Sequence, residues 1–156
     1  MRSVLFAVSL TLAASSIPAS ADTPAEQLEY FLGTWNCVAH AGGAAFSESR
    51  TITAAPGSVW LHASGTLSEK NHPLANEDTY LTYDSRNARF VLLGITSAGA
   101  YFIATSSSPA LDGSKWTDAF PDDGGAGTLV ENSASQYTST TVAKNGMTTQ
   151  TICTRR

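Results

Sequence analysis

Three histidines, His40, His62 and His72, are the side chains best suited to proton transfer or metal ligation near neutral pH. They are scattered singly, at no spacing that a metal site uses, so no metal is expected. His62, in "VWLHASGTL", is the one histidine inside a strand-like run, where it could serve as general base, metal ligand or hydrogen-bonded wall residue. His40 sits at a strand end beside "AGG", and His72 precedes Pro73 in a polar stretch; both read as exposed. Glu77-Asp78 and Asp122-Asp123 are sequence neighbours, so on a strand each pair splits between opposite faces and gives no acid–base couple. Serines and threonines abound, yet no Gly-x-Ser-x-Gly elbow is present, and the glycine pairs at 42–43 and 124–125 precede no helix that could receive a phosphate. No residue earns a catalytic assignment, and no cofactor is expected.

The elements that carry these residues are mostly strands. In "TPAEQLEYFLG", Thr23 is placed to cap a short helix, Pro24 to open it and Gly33 to stop it. Beyond it, short runs rich in Thr, Val, Tyr, Phe and Trp alternate with Gly, Pro, Asn and Asp, the rhythm of an antiparallel meander. The expected strands are 34–41, 46–55, 58–68, 77–84, 89–97, 100–107, 115–120, 127–133, 136–144 and 147–154. Turn signals separate them, strongest at Asn145-Gly146, where a type I′ hairpin would need positive φ at both positions. The stretches 69–76, 106–114 and 121–127 read as loops, hence as candidate pocket rims.

The first residues stand apart. Met1-Arg2, an apolar run and Ala19-Ser20-Ala21 have the form of a secretory signal peptide, 1–21, cleaved before Asp22. Its apolar run is too short for a membrane anchor, and nothing later looks membrane-spanning. Residues 22–156 then form one domain, periplasmic or secreted. Without Arg2 the formal charge falls from -4 to -5, and the basic residues are not clustered, which excludes a nucleic-acid footprint.

Cys37 and Cys153 lie near opposite ends of the mature chain, and export exposes them to oxidising conditions. A disulfide is the first expectation; two free thiols or a redox pair are the alternatives, without C-x-x-C spacing to support the latter. A disulfide needs Cα atoms about 5 to 6 Å apart, which would bring the first and last strands together and favour a closed barrel over two stacked sheets.

A short helix, Gly-x-Trp at the start of the first strand and an antiparallel meander together resemble the calycin group of lipocalins and their relatives. The likeness is carried by "FLGTWNC" at 31–37, "GSVWLHASGTL" at 57–67 and "YLTYDSRNARFVLLGITSAGAYF" at 80–102. It is nearest to a bacterial family of secreted lipocalin-like domains, with nitrobindin-type barrels as more distant relatives. The resemblance implies an all-β barrel of about ten strands whose mouth binds a small apolar or amphipathic molecule. Nitrobindin-type barrels hold haem through a histidine near the C-terminus; here Gly127 to Arg156 contain none, so haem is not expected there.

On strand alternation Trp35 shares a face with Gly33, Cys37 and Ala39. It is expected to plug the barrel floor, its indole N–H bonded to a loop carbonyl. Trp60 and His62 share one face of their strand and Leu61 and Ala63 the other, so which face points inward stays open. Tyr83 and Trp116 lie near loop boundaries. Trp60, His62, Tyr83 and Trp116 are the expected ligand-facing residues, with Gly33 and Trp35 structural.

Three readings follow. The first is a secreted or periplasmic binding protein for an apolar or amphipathic molecule. The second is an isomerase or hydrolase on the same scaffold, with His62 and Tyr83 within about 3 Å of one substrate atom. The third is an envelope structural or interaction protein whose barrel is filled by its own aromatics, with a cavity below about 300 Å³. The sequence carries no signal for an oligomeric state.

Overall fold

A computed structural model describes residues 22–56, 59–120 and 125–156; the proposed signal peptide, Gly57, Ser58 and the Asp122-Asp123 pair lie outside them. One helix, α1 (Pro24–Glu29), precedes ten strands: β1 (Gly33–Ala41), β2 (Ala44–Ala54), β3 (Leu61–Glu69), β4 (His72–Asp84), β5 (Arg89–Thr96), β6 (Tyr101–Ser106), β7 (Lys115–Phe120), β8 (Ala126–Ser133), β9 (Gln136–Val142) and β10 (Thr148–Arg155). Each strand pairs antiparallel with the next, and β1 pairs with β10 to close the barrel. The all-β barrel and its helix are therefore as the residue pattern predicts.

Closure rests on the β1–β10 register, which sets Cys37 directly opposite Cys153. The two form a disulfide. With Cys37 and Cys153 both buried, period-two alternation fixes which side chains of every neighbouring strand enter the lumen.

Thr23 and Glu26 form a reciprocal capping box: the Thr23 N–H donates to Glu26 Oε2 at 2.7 Å, and the Glu26 N–H to Thr23 Oγ1 at 3.3 Å. The helix ends before Gly33: the Phe31 and Leu32 N–H groups donate to the Leu28 and Glu29 carbonyls at 3.0 and 3.1 Å, a tighter turn that leads into β1. Trp35 is fully buried there and donates from Nε1 to the Phe31 carbonyl at 2.8 Å. Tyr137 packs edge-on against both Phe31 and Trp35. The Arg155 guanidinium lies 4.4 Å from the Trp35 ring centroid and donates to the Leu32 and Tyr30 carbonyls, so the last strand clasps the entry of the first.

Two turns differ from expectation. The stretch 69–76 is not a loop: Lys70 and Asn71 both have positive φ and form a tight turn, and β4 begins at once at His72. Conversely, Asn145-Gly146 is not type I′. Only Gly146 has positive φ, the Gly146 N–H donates to Ala143 O and the Ala143 N–H to Met147 O, the pattern of a type I turn followed by a glycine bulge.

Reducing the disulfide, or replacing both cysteines by alanine, should lower the unfolding free energy by about 4 to 5 kcal/mol on the chain-entropy account. A denaturant titration with and without reductant reads this directly. Tyr30, whose hydroxyl lies 2.8 Å from Ser133 O and 2.9 Å from Gln136 O, has its pKa pushed up to about 12, first by burial and then by Glu131. Its contribution is present below its ordinary value of 10.0 and lost as pH rises through about 12, so stability should fall across that window. Tyr30→Phe should make the fall shallower in pH-dependent thermal melts.

The barrel cavity as candidate binding site

Inward alternation of β2 to β6 puts Ile52, Leu61, Leu81, Leu92 and Phe102 around the lumen, and they bound a cavity of about 370 Å³. Its floor is formed by Phe31, Trp116 and Leu111. Leu111 is fully buried, held by its N–H donating to Gln27 Oε1 of α1 at 2.7 Å. The segment between β6 and β7 is thus part of the floor and not a rim. At the opposite end the wall is made by Asp118, Gly125, Ala126 and Thr141 to Ala143, where β7, β8 and β9 approach their far turns.

The polar part of the wall is centred on Arg50. Register sets Arg50 of β2 opposite Gly65 of β3, and Gly65 opposite Glu77 of β4, while Glu48 precedes Arg50 on the same inner face. Arg50 donates from Nε to Glu48 Oε1 at 2.9 Å and from Nη2 to Glu48 Oε2 at 2.7 Å, a two-point pair. Glu77 Oε1 stands 3.6 Å from Nη2, outside ordinary hydrogen-bond range. The Tyr137 phenol also interacts with the guanidinium. Gly65 makes room for the group: a Cβ there would come within 2.2 Å of Glu48 Oε1.

Burial opposes the Arg50 charge, but Glu48, Tyr137 and Glu77 more than offset it, so its pKa lies above the ordinary arginine value. Burial pushes the Glu77 carboxyl up; Arg50 pulls it back, and Glu48 and Asp78 add to the rise. The Tyr137 phenol is also raised, chiefly by burial. Among the described residues no group of three or more His, Cys, Asp or Glu is arranged to hold a metal ion.

Of the four residues expected to face a ligand, Trp116 lines the cavity, its indole N–H donating to Ser114 Oγ at 2.7 Å. Tyr83 is on the inner face of β4 but packs against Phe90, ring centroids 5.0 Å apart. His62 points outward, because Leu61 and Ala63 take the lumen; its Nε2 lies 2.8 Å from Asp78 Oδ1 and its ring stacks on Tyr80 at 4.7 Å. Trp60 precedes β3, half-buried, outside the cavity wall, its carbonyl accepting from the Ala55 N–H. His62 and Tyr83 are therefore on opposite sides of the barrel wall and share no cavity. Arg50, Glu48 and Asp118 were not singled out from sequence. The signal for the first two is in "FSESRTI": Phe46, Glu48, Arg50 and Ile52 fall on one face, placing two opposite charges in an apolar series.

The fold and site define a closed antiparallel β-barrel with a mostly apolar interior cavity and a buried ion cluster in its wall. No protein-family model matches the chain, and no curated protein sequence does. Solved structures share the fold. An S-type phycobiliprotein lyase from Guillardia theta superposes with a TM-score of 0.56 at 12% identity, over 84% of this chain and 91% of the lyase. A de novo designed fluorescence-activating β-barrel gives 0.52 at 12% identity, over 83% and 96%. A redesigned β-barrel gives 0.51 at 13% identity, over 88% and 99%.

Arg50→Met leaves Glu48, whose side chain is 7% exposed, without its counter-ion and should destabilise the barrel by about 3 to 5 kcal/mol. The double variant Glu48→Gln, Arg50→Met should recover most of that loss in urea unfolding.

Proposed function

We propose that this chain is an exported, lipocalin-like protein that holds a small apolar or amphipathic molecule in its barrel cavity. The cavity carries the reading: about 370 Å³ lies within the range of small-molecule pockets, and most of its wall is apolar. That volume argues against a barrel filled by its own aromatics. Trp116 is one of the aromatic contacts on this reading, with Phe31, Phe102 and Tyr137, offering its ring to the ligand while Ser114 satisfies its N–H. The scaffold is shared with a fluorescence-activating design and a phycobiliprotein lyase, proteins of different function, so the ligand has to be read from the wall and not from the fold.

A periplasmic or secreted location is supported by the signal-like residues 1–21 and by the disulfide, which suits an oxidising compartment. Among the described residues no helix is long and apolar enough to cross a membrane.

The test is capture and competition. Protein purified from its own compartment should carry a small molecule in native mass spectrometry, or the empty protein should bind an environment-sensitive hydrophobic dye. Ala104→Phe, which fills the lumen at an overpacking cost of about 1 to 3 kcal/mol, should weaken dye binding by about tenfold or more with the far-UV spectrum kept. A barrel that carries nothing and binds no dye would overturn the proposal.

A further inference from the structure

The apolar wall says that the ligand is greasy; the ion cluster says which polar end it carries. Among the described residues that line the cavity, Arg50 is the one cationic side chain. An anionic ligand would need it, yet its two-point edge, Nε and Nη2, is taken by Glu48. Tyr137 also interacts with the guanidinium, and Glu77 Oε1 stands 3.6 Å from Nη2, so a second carboxylate already neighbours the group. Asp118 adds a carboxylate to the wall whatever else it contacts. Glu48 and Glu77 are not themselves part of the cavity lining but stand beside Arg50 on the inner face, so with Asp118 of the lining three carboxylates are set against the one lining guanidinium, a formal excess of two negative charges when all are ionised.

The cluster is held in place. Gly65 has no side chain between Arg50 and Glu77, and the nearest space is occupied by Glu48, so the guanidinium cannot turn its paired edge into the lumen without breaking that pair. The Glu77 carboxyl is shifted up, first by burial, with Arg50 opposing the shift and Glu48 and Asp78 adding to it. In a water-poor lumen charges of like sign repel far more strongly than at the surface.

Resting on the binding reading above, we propose that the cavity selects amphipathic molecules whose polar end is cationic, accepts neutral hydrogen-bond donors less well, and rejects carboxylates. The ligand class is an amine-bearing amphiphile and not a fatty-acid-like anion.

Three probes of one chain length, decylamine, decanol and decanoate, are to be competed against a hydrophobic dye at neutral pH, below their aggregation limits. Decylamine should bind about tenfold or more tighter than decanoate, with decanol between them. Glu48→Gln should narrow or reverse that ratio by releasing the Arg50 edge, and Glu77→Gln, which leaves the two-point pair intact, should narrow it less. The wild-type ranking stands without either variant, should one fail to fold. Decanoate binding as tightly as decylamine, or tighter, overturns the ligand class while leaving the binding reading in place. A dye that binds with all three probes inert also overturns it, and a dye that does not bind at all removes the binding reading itself.

Discussion

The β1–β10 ladder is the interaction on which the rest of the structure depends. A ten-stranded antiparallel meander that stayed open would expose two edges of unpaired N–H and C=O groups, each a template for association. Pairing Trp35 to Ala41 with Thr149 to Arg155 removes both edges at once. The same register decides the lumen, since a slip of one residue would turn Trp35, Arg50, Leu61 and Leu81 to solvent and bring Asn36, Ser49 and His62 inside. The disulfide and the Arg155 clasp act on this one ladder, at Cys37–Cys153 and at the Trp35 end.

Inside the barrel, the competing constraint is the buried ion cluster. Desolvating Arg50 and Glu48 opposes folding, and the two-point geometry with Tyr137 nearby only compensates for it. An all-aliphatic wall at positions 48, 50 and 77 would pack as well or better. On the binding reading proposed above, what the charges supply is an oriented field in an otherwise mostly apolar cavity.

Much of the fold was legible because strand alternation and turn residues act locally. "KWTDAF" reads as a strand over the same six residues that form β7, and Trp35 could be assigned to the floor from Gly33-x-Trp35 after a helix. The face of β3 stays open in the sequence, since "VWLHASGTL" sets Trp60 and His62 on one parity against Leu61 and Ala63 on the other; pairing with Ile52 and Leu81 sends Leu61 and Ala63 inward. Asn145-Gly146 misled for a related reason: the dipeptide fits a two-residue turn, but the strand ends at Val142 and Thr148 leave a longer connection, and a single left-handed glycine suffices. Leu111 in "SSSPALDGS" was hidden by its polar surroundings, its burial depending on a glutamine far away in sequence. The site was the least legible part, because a lumen is assembled from one residue in two of every strand, and no single segment displays it.

The covalent staple also has a mechanical side. Cys37 and Cys153 are 116 residues apart in sequence, yet they face each other across one ladder. Tension applied to the chain on either side of the barrel would run through that bond and leave everything between the two cysteines outside the load path. Under oxidising conditions only the short flanks, with α1 and the ends of β1 and β10, could be drawn out, so the cavity would keep its shape while its attachments were pulled.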